Sequence, residues 1–273
     1  LAAGPGGELV VAKRKSDVAT VAVARRVMPR GSVVLVGLGP GDAVHRTPAA
    51  DRAVRTADVV VGYAPYVEQA AALLSPRTEV LALPVGAEVE RANIALEHAS
   101  RGRRVAVVCS GDAGIYAMAS IVAEIAPAVA PGVDVSVVPG VTASLAAAAA
   151  LGAPLGHDHA LISLSDLLTP WEVIERRVEA AAMGDFVTVF YNPRSRGRDW
   201  QLPAALEILG RHRTPATPVG IVTDAGRAGE STQITTLADI DVTILGMTAC
   251  VIVGSSTTIV AGGRMMTPRG YKR

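Results

Sequence analysis

The chain has 273 residues, of which 50% are hydrophobic but only 3% aromatic. A chain of this length can bury one large core or two ordinary ones, and Val, Leu, Ile and Ala must build it, as in helices packed on a parallel sheet. Its 26 basic and 25 acidic residues give a net charge of +1. The net charge therefore creates no strong electrostatic attraction for nucleic acid or a membrane surface, and we expect neither as a partner.

The two cysteines indicate a reducing compartment. Cys109 and Cys250 lie in apolar, strand-like runs and have no metal-binding spacing. The longest apolar candidate for a membrane span, residues 141–155, is alanine-rich and shorter than the roughly 18 residues required. Since no signal peptide is recognisable either, we predict a cytoplasmic location and no bound metal.

The first thirty residues differ from the rest of the chain. Residues 8–26 contain two short β-like runs around a basic turn at residues 13–15. Because the sequence starts at Leu1, this segment is interpreted either as a solvated basic tail or as the cut end of a longer polypeptide. We expect residues 1–30 to lie outside the catalytic fold.

From residue 31 onward, apolar strands alternate with helical patterns. The predicted strands are 33–36, 58–61, 80–83, 104–109 and 133–138, and the predicted helices are 48–56, 64–74, 88–100 and 114–125. This order predicts one buried parallel sheet with right-handed crossovers, in a domain of residues 31–140.

A second set of elements follows the segment PGVT, which opens an alanine-rich helix. Its predicted members are strands 159–164, 186–190, 219–223 and 249–253, a β-like stretch at 233–236, and helices 171–182 and 202–210. We therefore predict a second α/β domain, residues 141–273, and a ligand cleft between the two domains.

The glycine-rich loop after the first core strand is the most informative segment. In VVLVGLGPGD, residues 33–42, a buried strand ends in three glycines, and ligands of open α/β sheets bind at such strand ends. Pro40 removes an amide donor, so the loop differs from the dinucleotide motif G-x-G-x-x-G. A tight turn without a ligand is the alternative interpretation.

Other strand ends carry polar residues. Ser110, Gly111 and Asp112 follow the fourth strand, and Asp112 either caps the next helix or accepts ribose hydroxyls. Thr142, after the fifth strand, is a helix cap or a ligand hydroxyl. Asp224 and Arg227, in the segment TDAGRAGE, lie at a further strand end.

In the second domain, Asn192 stands beside three arginines at 194, 196 and 198. Arginines suit carboxylates because the guanidinium fork binds them bidentately, although a solvated loop is the simpler interpretation. No Walker loop, G-x-S-x-G or H-E-x-x-H motif occurs. Backbone loops, hydroxyls and arginines could hold a pre-activated cofactor near a polyanionic substrate.

Several motifs together resemble the tetrapyrrole methylase family, over residues 31–273. They are VGLGPGD, ADVVVGY, SGDAGIYAMA, VVPGVTASLAAAAALGAPLGHD, LSDLLTPW, FYNPRS and MTPRGY. The resemblance implies two α/β domains of the class III methyltransferase type, a homodimer, and S-adenosylmethionine in the cleft, with S-adenosylhomocysteine as product. Residues 8–26 resemble the end of the cobalt-precorrin-5A hydrolases, which implies a fusion remnant.

The resemblance also implies site residues. The expected cofactor contacts are Pro40, Ser110, Gly111, Asp112, Ile115, Thr142, Ala143 and Asn192. Arg194 and Arg198 are expected to bind the acetate and propionate groups of a precorrin.

The implied reaction is C17 methylation with ring contraction, precorrin-3B to precorrin-4, in cobalamin biosynthesis. Contraction requires a base for a substrate hydroxyl, and the candidates are Asp166, His157 and Tyr63. Tyr63 occupies the position where relatives acting on uroporphyrinogen carry an aspartate.

Three alternatives stay open at this point. The chain could methylate another precorrin or a cobalt-precorrin carbon, for example on cobalt-factor III, or act on ribosomal RNA or diphthamide as distant relatives do. It could be a nicotinamide-dependent oxidoreductase, which Pro40 and the missing acidic ribose anchor disfavour. It could also be a tetrapyrrole carrier without catalysis.

Overall fold

The computed structural model describes residues 9–15, 18–24, 31–195 and 197–272. Strands β1 (Leu9–Lys15) and β2 (Val18–Ala24) pair with each other as an antiparallel two-stranded sheet. The two predicted β-like runs are therefore confirmed, although the basic residues 13–15 lie in β1 rather than in a turn. The rest of the predicted tail, residues 1–8, 16–17 and 25–30, lies outside the described residues.

The first large sheet contains five strands, all parallel, in the order β5-β4-β6-β3-β7. Its strands are β3 (Ser32–Gly37), β4 (Val59–Tyr63), β5 (Glu79–Leu83), β6 (Arg104–Cys109) and β7 (Asp134–Val138). Its helices are α1 (Pro48–Arg55), α2 (Ala64–Gln69), α3 (Glu88–Ser100) and α4 (Met118–Val129), with 3-10 turns at Ala43–His45 and Ala71–Leu73.

Both faces of the central strands β3, β4 and β6 are buried, which confirms the predicted buried parallel sheet, while the edge strands β5 and β7 are more exposed. Alternate residues point to opposite faces, so Val33 and Leu35 pack toward α3 and α4. Val36 instead packs with Val60 toward α1 and α2. The continuous apolar runs of the central strands follow from this double burial.

The second large sheet is mixed, in the order β12-β11-β13-β10-β9, and only β9 and β10 pair in parallel. Its strands are β9 (His159–Ser163), β10 (Val187–Tyr191), β11 (Pro218–Thr223), β12 (Ser231–Thr236) and β13 (Ala249–Val253). Helices α6 (Trp171–Met183) and α7 (Gln201–Gly210) cover one face and α5 (Ala143–Leu151) the other. A 3-10 turn spans Val242–Ile244.

A small third sheet was not predicted. It contains β8 (Gly152–Ala153), β14 (Ile259–Ala261) and β15 (Arg264–Met266). Pairing between β8 and β15 joins distant parts of the chain, so local patterns could not reveal it. The last strand of the first sheet, β7, ends at Val138, and the next helix, α5, packs on the second sheet. The predicted domain boundary after residue 140 stays a prediction.

Two predicted helices have different bounds in the structure. The helix expected at 114–125 begins at Met118, and the helix expected at 64–74 ends at Gln69 before a 3-10 turn. Tyr116 has a φ of 50°, a left-handed conformation that a helix cannot include. Among the described residues, no helix is both long and apolar enough to cross a membrane.

Candidate functional site

Glycines from three loops meet at the carboxyl edge of the parallel sheet. Gly39 and Gly111 exchange two backbone hydrogen bonds, with N–O distances of 3.0 and 2.7 Å. A Cβ on Gly140 would lie 2.2 Å from the Gly111 oxygen, and one on Gly37 would lie 2.6 Å from the Gly140 nitrogen. Only glycine permits these approaches. We call Gly37, Gly39, Gly111 and Gly140 the glycine cradle.

Asp112 fastens two of these loops together. Its Oδ1 accepts a hydrogen bond from the Gly114 amide at 2.7 Å, and its Oδ2 accepts one from the Gly140 amide at 2.8 Å. Because α4 begins only at Met118, the interpretation of Asp112 as the cap of the following helix is wrong. A carboxylate has about four acceptor positions, so two remain for the hydroxyls of a ligand.

The loop after β6 also reaches the second sheet. Ser110 donates from its hydroxyl to the Pro40 carbonyl at 3.3 Å, and the half-buried Ile115 follows in the same loop. Next to it, the Tyr116 hydroxyl donates to the Leu161 carbonyl at 2.8 Å, on the edge strand β9. Along the chain, Ile115 therefore lies between Ser110, which contacts the glycine loop, and Tyr116, which contacts the second sheet.

The N-terminus of α5 abuts the glycine cradle. A Cβ on Gly111 would lie 3.6 Å from the Cα of Thr142, the N-cap residue of α5, and Ala143 is the first helical residue. The Tyr191 hydroxyl lies 2.6 Å from Thr142 Oγ1 and accepts a hydrogen bond from the Ser144 amide at 2.8 Å. Burial raises the pKa of Tyr191 above its ordinary value, so this hydroxyl stays protonated at neutral pH.

Asn192 and the two predicted substrate arginines separate into two groups. Asn192 has a φ of 51° and donates to Ser163 Oγ at 3.0 Å. Arg198 donates to the Asn192 carbonyl at 3.1 Å, and its buried Nε has no hydrogen-bond partner among the described residues. Arg194 instead donates to the carbonyls of residues 242 and 243 at 3.1 and 2.6 Å. Arg198 thus lies beside the site, whereas Arg194 anchors a neighbouring loop.

The loop between β11 and β12 of the second sheet packs on the GLGPGD segment, residues 37–42. Arg227 donates from Nε to the Pro40 carbonyl at 3.0 Å and from Nη2 to Ser110 Oγ at 3.3 Å. The Asp42 amide donates to the Gly226 carbonyl at 2.6 Å. Pro40 is buried beneath this loop. The contacts join elements nearly two hundred residues apart, so Arg227 links both sheets at the site.

The three candidate bases lie in different places. Tyr63 ends β4, at the same edge as the glycine cradle, and stacks edge-on against Tyr66. Asp166 follows the carboxyl end of β9 and accepts a hydrogen bond from Gln201 at 2.8 Å. His157 precedes β9, at its amino end, so the structure does not bring it to this edge. It lines a separate cavity of about 350 Å³ together with Arg269.

Sequence reasoning missed three residues that shape the site. Gln69, in α2, donates to the carbonyls of Gly39 and Gly41 at 3.0 and 3.1 Å and so holds the glycine loop. Tyr116 and Tyr191 join the loops to the second sheet. Tyr191 directly precedes Asn192 in FYNPRS and could have been found there, but nothing in the local sequence distinguishes Gln69.

The chemistry available at the site is that of amides, hydroxyls and a carboxylate. Within the part of the chain that the structure describes, no group of three or more His, Cys, Asp or Glu residues could hold a metal ion. Burial raises the pKa of Cys109 to about 11 and that of Cys250 to about 12, so both thiols are protonated at neutral pH. The site can therefore bind and align a ligand that already carries its reactive group.

Comparison with known families gives a match over most of the chain. The model of the Tetrapyrrole (Corrin/Porphyrin) Methylases matches residues 32–241. The "Probable cobalt-factor III C(17)-methyltransferase" of Salmonella typhimurium is 48% identical over 237 residues, covering 87% of this chain and 98% of the relative. The "Precorrin-3B C(17)-methyltransferase" of Sinorhizobium sp is 42% identical, covering 88% and 97%. The chain spans only 46% of the "Cobalt-factor III methyltransferase" of Priestia megaterium, at 43% identity over 89% of this chain.

Two solved structures show the same fold. The methyltransferase CobJ superimposes with a TM-score of 0.82 at 40% identity, covering 87% of this chain and 100% of that one. The uroporphyrin-III C-methyl transferase of Thermus thermophilus, complexed with S-adenosyl homocysteine, gives a TM-score of 0.62 at 27% identity. That match covers 82% of this chain and 97% of the other.

Proposed function

The chain belongs to the tetrapyrrole (corrin/porphyrin) methylase family, and we propose that it uses S-adenosylmethionine to methylate C17 of a precorrin-type macrocycle in cobalamin biosynthesis. The observation that carries this proposal is the match over nearly the full length of two relatives that are both named for C17 methylation. Ring contraction, precorrin-3B to precorrin-4, is part of the proposal.

The glycine cradle fits the proposed cofactor. At Gly111 a Cβ would lie no closer than 3.6 Å to any atom of the described residues beyond its chain neighbours, so this side of the cradle leaves room for a ligand, and the Asp112 carboxylate and the Thr142 hydroxyl belong to the same loops. Asp112 would accept ribose hydroxyls, Thr142 and Ala143 would contact the ligand at the N-terminus of α5, and Asn192 would face it from the loop that follows β10. Ser110, Gly111 and Ile115 complete the set, while Pro40 would act through its buried position in the glycine loop.

When bound, S-adenosylmethionine supplies an electrophilic methyl group. The residues of the chain then need mainly to align the acceptor carbon and to exclude water, and such alignment can supply about 7–11 kcal/mol in the best intramolecular cases. This explains a site that consists of rigid backbone rather than of a nucleophile and its base.

Asp166 is the base that we propose for the ring contraction. It follows the carboxyl end of β9, which pairs with β10, the strand that Asn192 directly follows, and Gln201 holds its carboxylate in place. In this role Asp166 takes the proton of a substrate hydroxyl. Tyr63 is the second candidate, since it lies at the carboxyl edge, and the position of His157 makes it the weakest.

Arg198 is the stronger of the two proposed carboxylate ligands. Its Nε has no hydrogen-bond partner among the described residues and is left as a donor for an anionic group, whereas the Arg194 guanidinium already holds two carbonyls. A homodimer, a cytoplasmic location and the domain bounds 31–140 and 141–273 stay predictions. The fusion origin of residues 1–30 also stays a prediction.

The substrate can be tested directly. The protein is incubated with S-adenosylmethionine and either cobalt-factor III or metal-free precorrin-3B, and the product mass is measured. We expect one added methyl group on one of the two, with S-adenosylhomocysteine formed in equal amount. Calorimetric binding of a nicotinamide dinucleotide, together with no binding of S-adenosylhomocysteine, would favour the oxidoreductase instead.

A further inference from the structure

Two adjacent leucines stand out on the surface beside the site. Leu167 and Leu168 are 84% and 90% exposed, and they lie in the loop 164–170 between β9 and α6. Scattered exposed apolar residues are ordinary, but two consecutive, almost fully exposed leucines are unfavourable in water. We call this pair the leucine lip.

The loop that carries the leucine lip is held at both ends. The Leu164 amide donates to the Tyr191 carbonyl at 2.9 Å, and the Asp166 carboxylate accepts from the Gln201 amide group at 2.8 Å. Gln201 is 2% exposed, and the Pro170 carbonyl begins the hydrogen bonding of α6. The leucines are therefore presented to solvent by an ordered loop.

The leucine lip is continuous with the site. Tyr191, which anchors the loop, also contacts the N-terminus of α5, and Asp166 directly precedes the lip. Trp171 follows the loop and stacks edge-on against Trp200, with ring centroids 4.8 Å apart. Arg198, two residues before Trp200, has a buried Nε without a partner among the described residues.

We propose that the leucine lip is a substrate-binding surface, against which the apolar ring of the tetrapyrrole packs. This inference rests on the proposed function. A tetrapyrrole has an apolar macrocycle with carboxylates around its rim, and the surface pairs apolar side chains with an arginine that can bind a rim carboxylate. The lip therefore determines affinity for the macrocycle and leaves cofactor binding unaffected.

The test replaces both leucines. In the Leu167→Ser/Leu168→Ser variant we expect at least a tenfold weaker affinity for uroporphyrin III, an eight-carboxylate macrocycle used as the probe. Affinity is measured by quenching of the fluorescence of the two tryptophans of the chain. Calorimetric affinity for S-adenosylhomocysteine should change less than twofold, and the KM for the tetrapyrrole substrate should rise with kcat little changed.

Matched controls exclude a general surface effect. Val129→Ser/Met183→Ser removes two apolar side chains, 52% and 70% exposed, from the C-terminal ends of α4 and α6. These helix ends lie at the edges of the sheets opposite the site, so the control should bind uroporphyrin III normally. The Leu167→Met/Leu168→Met variant should bind uroporphyrin III as tightly as the wild type, since methionine keeps the surface apolar.

The outcomes separate this inference from the proposed function. Equal uroporphyrin III affinity in the wild type and in the serine variant would overturn the leucine lip alone. A changed subunit number in the serine variant, measured by light scattering, would also overturn it, because the leucines would then be a contact between copies of the chain. A wild-type protein that neither binds nor methylates any tetrapyrrole would overturn both proposals.

Discussion

Single residues decide whether the glycine cradle can form. Gly111 has a φ of 67°, a conformation that other residues rarely adopt, and its backbone pairs with Gly39. Tyr191 connects β10 to the N-terminus of α5, because its hydroxyl hydrogen-bonds both to the Thr142 hydroxyl and to the Ser144 amide. Each of these residues can be tested by a single substitution with a matched control.

Replacing Gly111 with valine should weaken the binding of S-adenosylhomocysteine at least tenfold, or about 1.4 kcal/mol. The valine side chain would enter the cradle and strain the backbone. Calorimetry measures the affinity. Gly132→Val is the control, since Gly132 has a φ of 95° and no atom of the described residues beyond its chain neighbours lies within 4 Å of a Cβ built there. Unchanged affinity in a folded Gly111→Val protein would contradict the proposed cofactor site.

Replacing Tyr191 with phenylalanine should lower the free energy of unfolding by about 1–3 kcal/mol, because the Ser144 amide, in a residue only 1% exposed, loses its acceptor. Cofactor affinity should fall as well, since Thr142 loses its partner. Urea denaturation and calorimetry measure the two effects. Tyr271→Phe, at a residue 83% exposed, should change neither.

At the scale of elements, strand ends are tied together by polar side chains as well as by backbone pairing. Asp58, just before β4, accepts hydrogen bonds from the amide and the guanidinium of Arg104, the first residue of β6. These hydrogen bonds lower the pKa of Asp58 from 3.8 to about 2. At the other edge, Gln69 connects α2 to the glycine loop.

The Asp58–Arg104 pair should make stability depend on pH. Because the folded pKa lies below the unfolded value, the contribution is complete above about pH 4 and is lost as the pH falls toward 2. Asp58→Asn should therefore cost about 1 kcal/mol or less at pH 7, since both side chains are more than a third exposed and solvent screens them.

Urea unfolding at pH 7, 4 and 3 measures this effect, and the difference between wild type and Asp58→Asn should shrink with falling pH. Glu207→Gln, in an exposed helical pair with Arg211, is the control and should cost less than about 0.5 kcal/mol. A difference that grows as the pH falls would show that the assigned hydrogen bonds do not stabilise the fold.

At the scale of the whole molecule, the site depends on contacts between the two large sheets. Arg227 joins the second sheet to Pro40 and Ser110, and Tyr116 joins the loop after β6 to the edge of β9. Neither sheet alone contains all the proposed ligand contacts. The β1–β2 pair, in contrast, hydrogen-bonds within itself.

Deleting residues 1–30 should therefore leave methyl transfer largely intact and cost little stability, because the first strand of the parallel sheet begins at Ser32. Thermal unfolding, cofactor affinity and turnover of the shortened protein measure this. Loss of cofactor binding on deletion would show that the segment is part of the enzyme.

The sequence by itself determined the strands of the parallel sheet, the helix at 88–100 and the glycine loops, because hydrophobic runs and glycine conformations are local properties of the chain. Only the tertiary structure decided that Asp112 fastens two loops, that His157 lies at the opposite edge from Asp166, and that Gln69, Tyr191 and Arg227 hold the site together. Their partners are distant along the chain, up to 187 residues for Arg227 and Pro40. Which distant groups meet is set by packing of both sheets, and no local pattern encodes it.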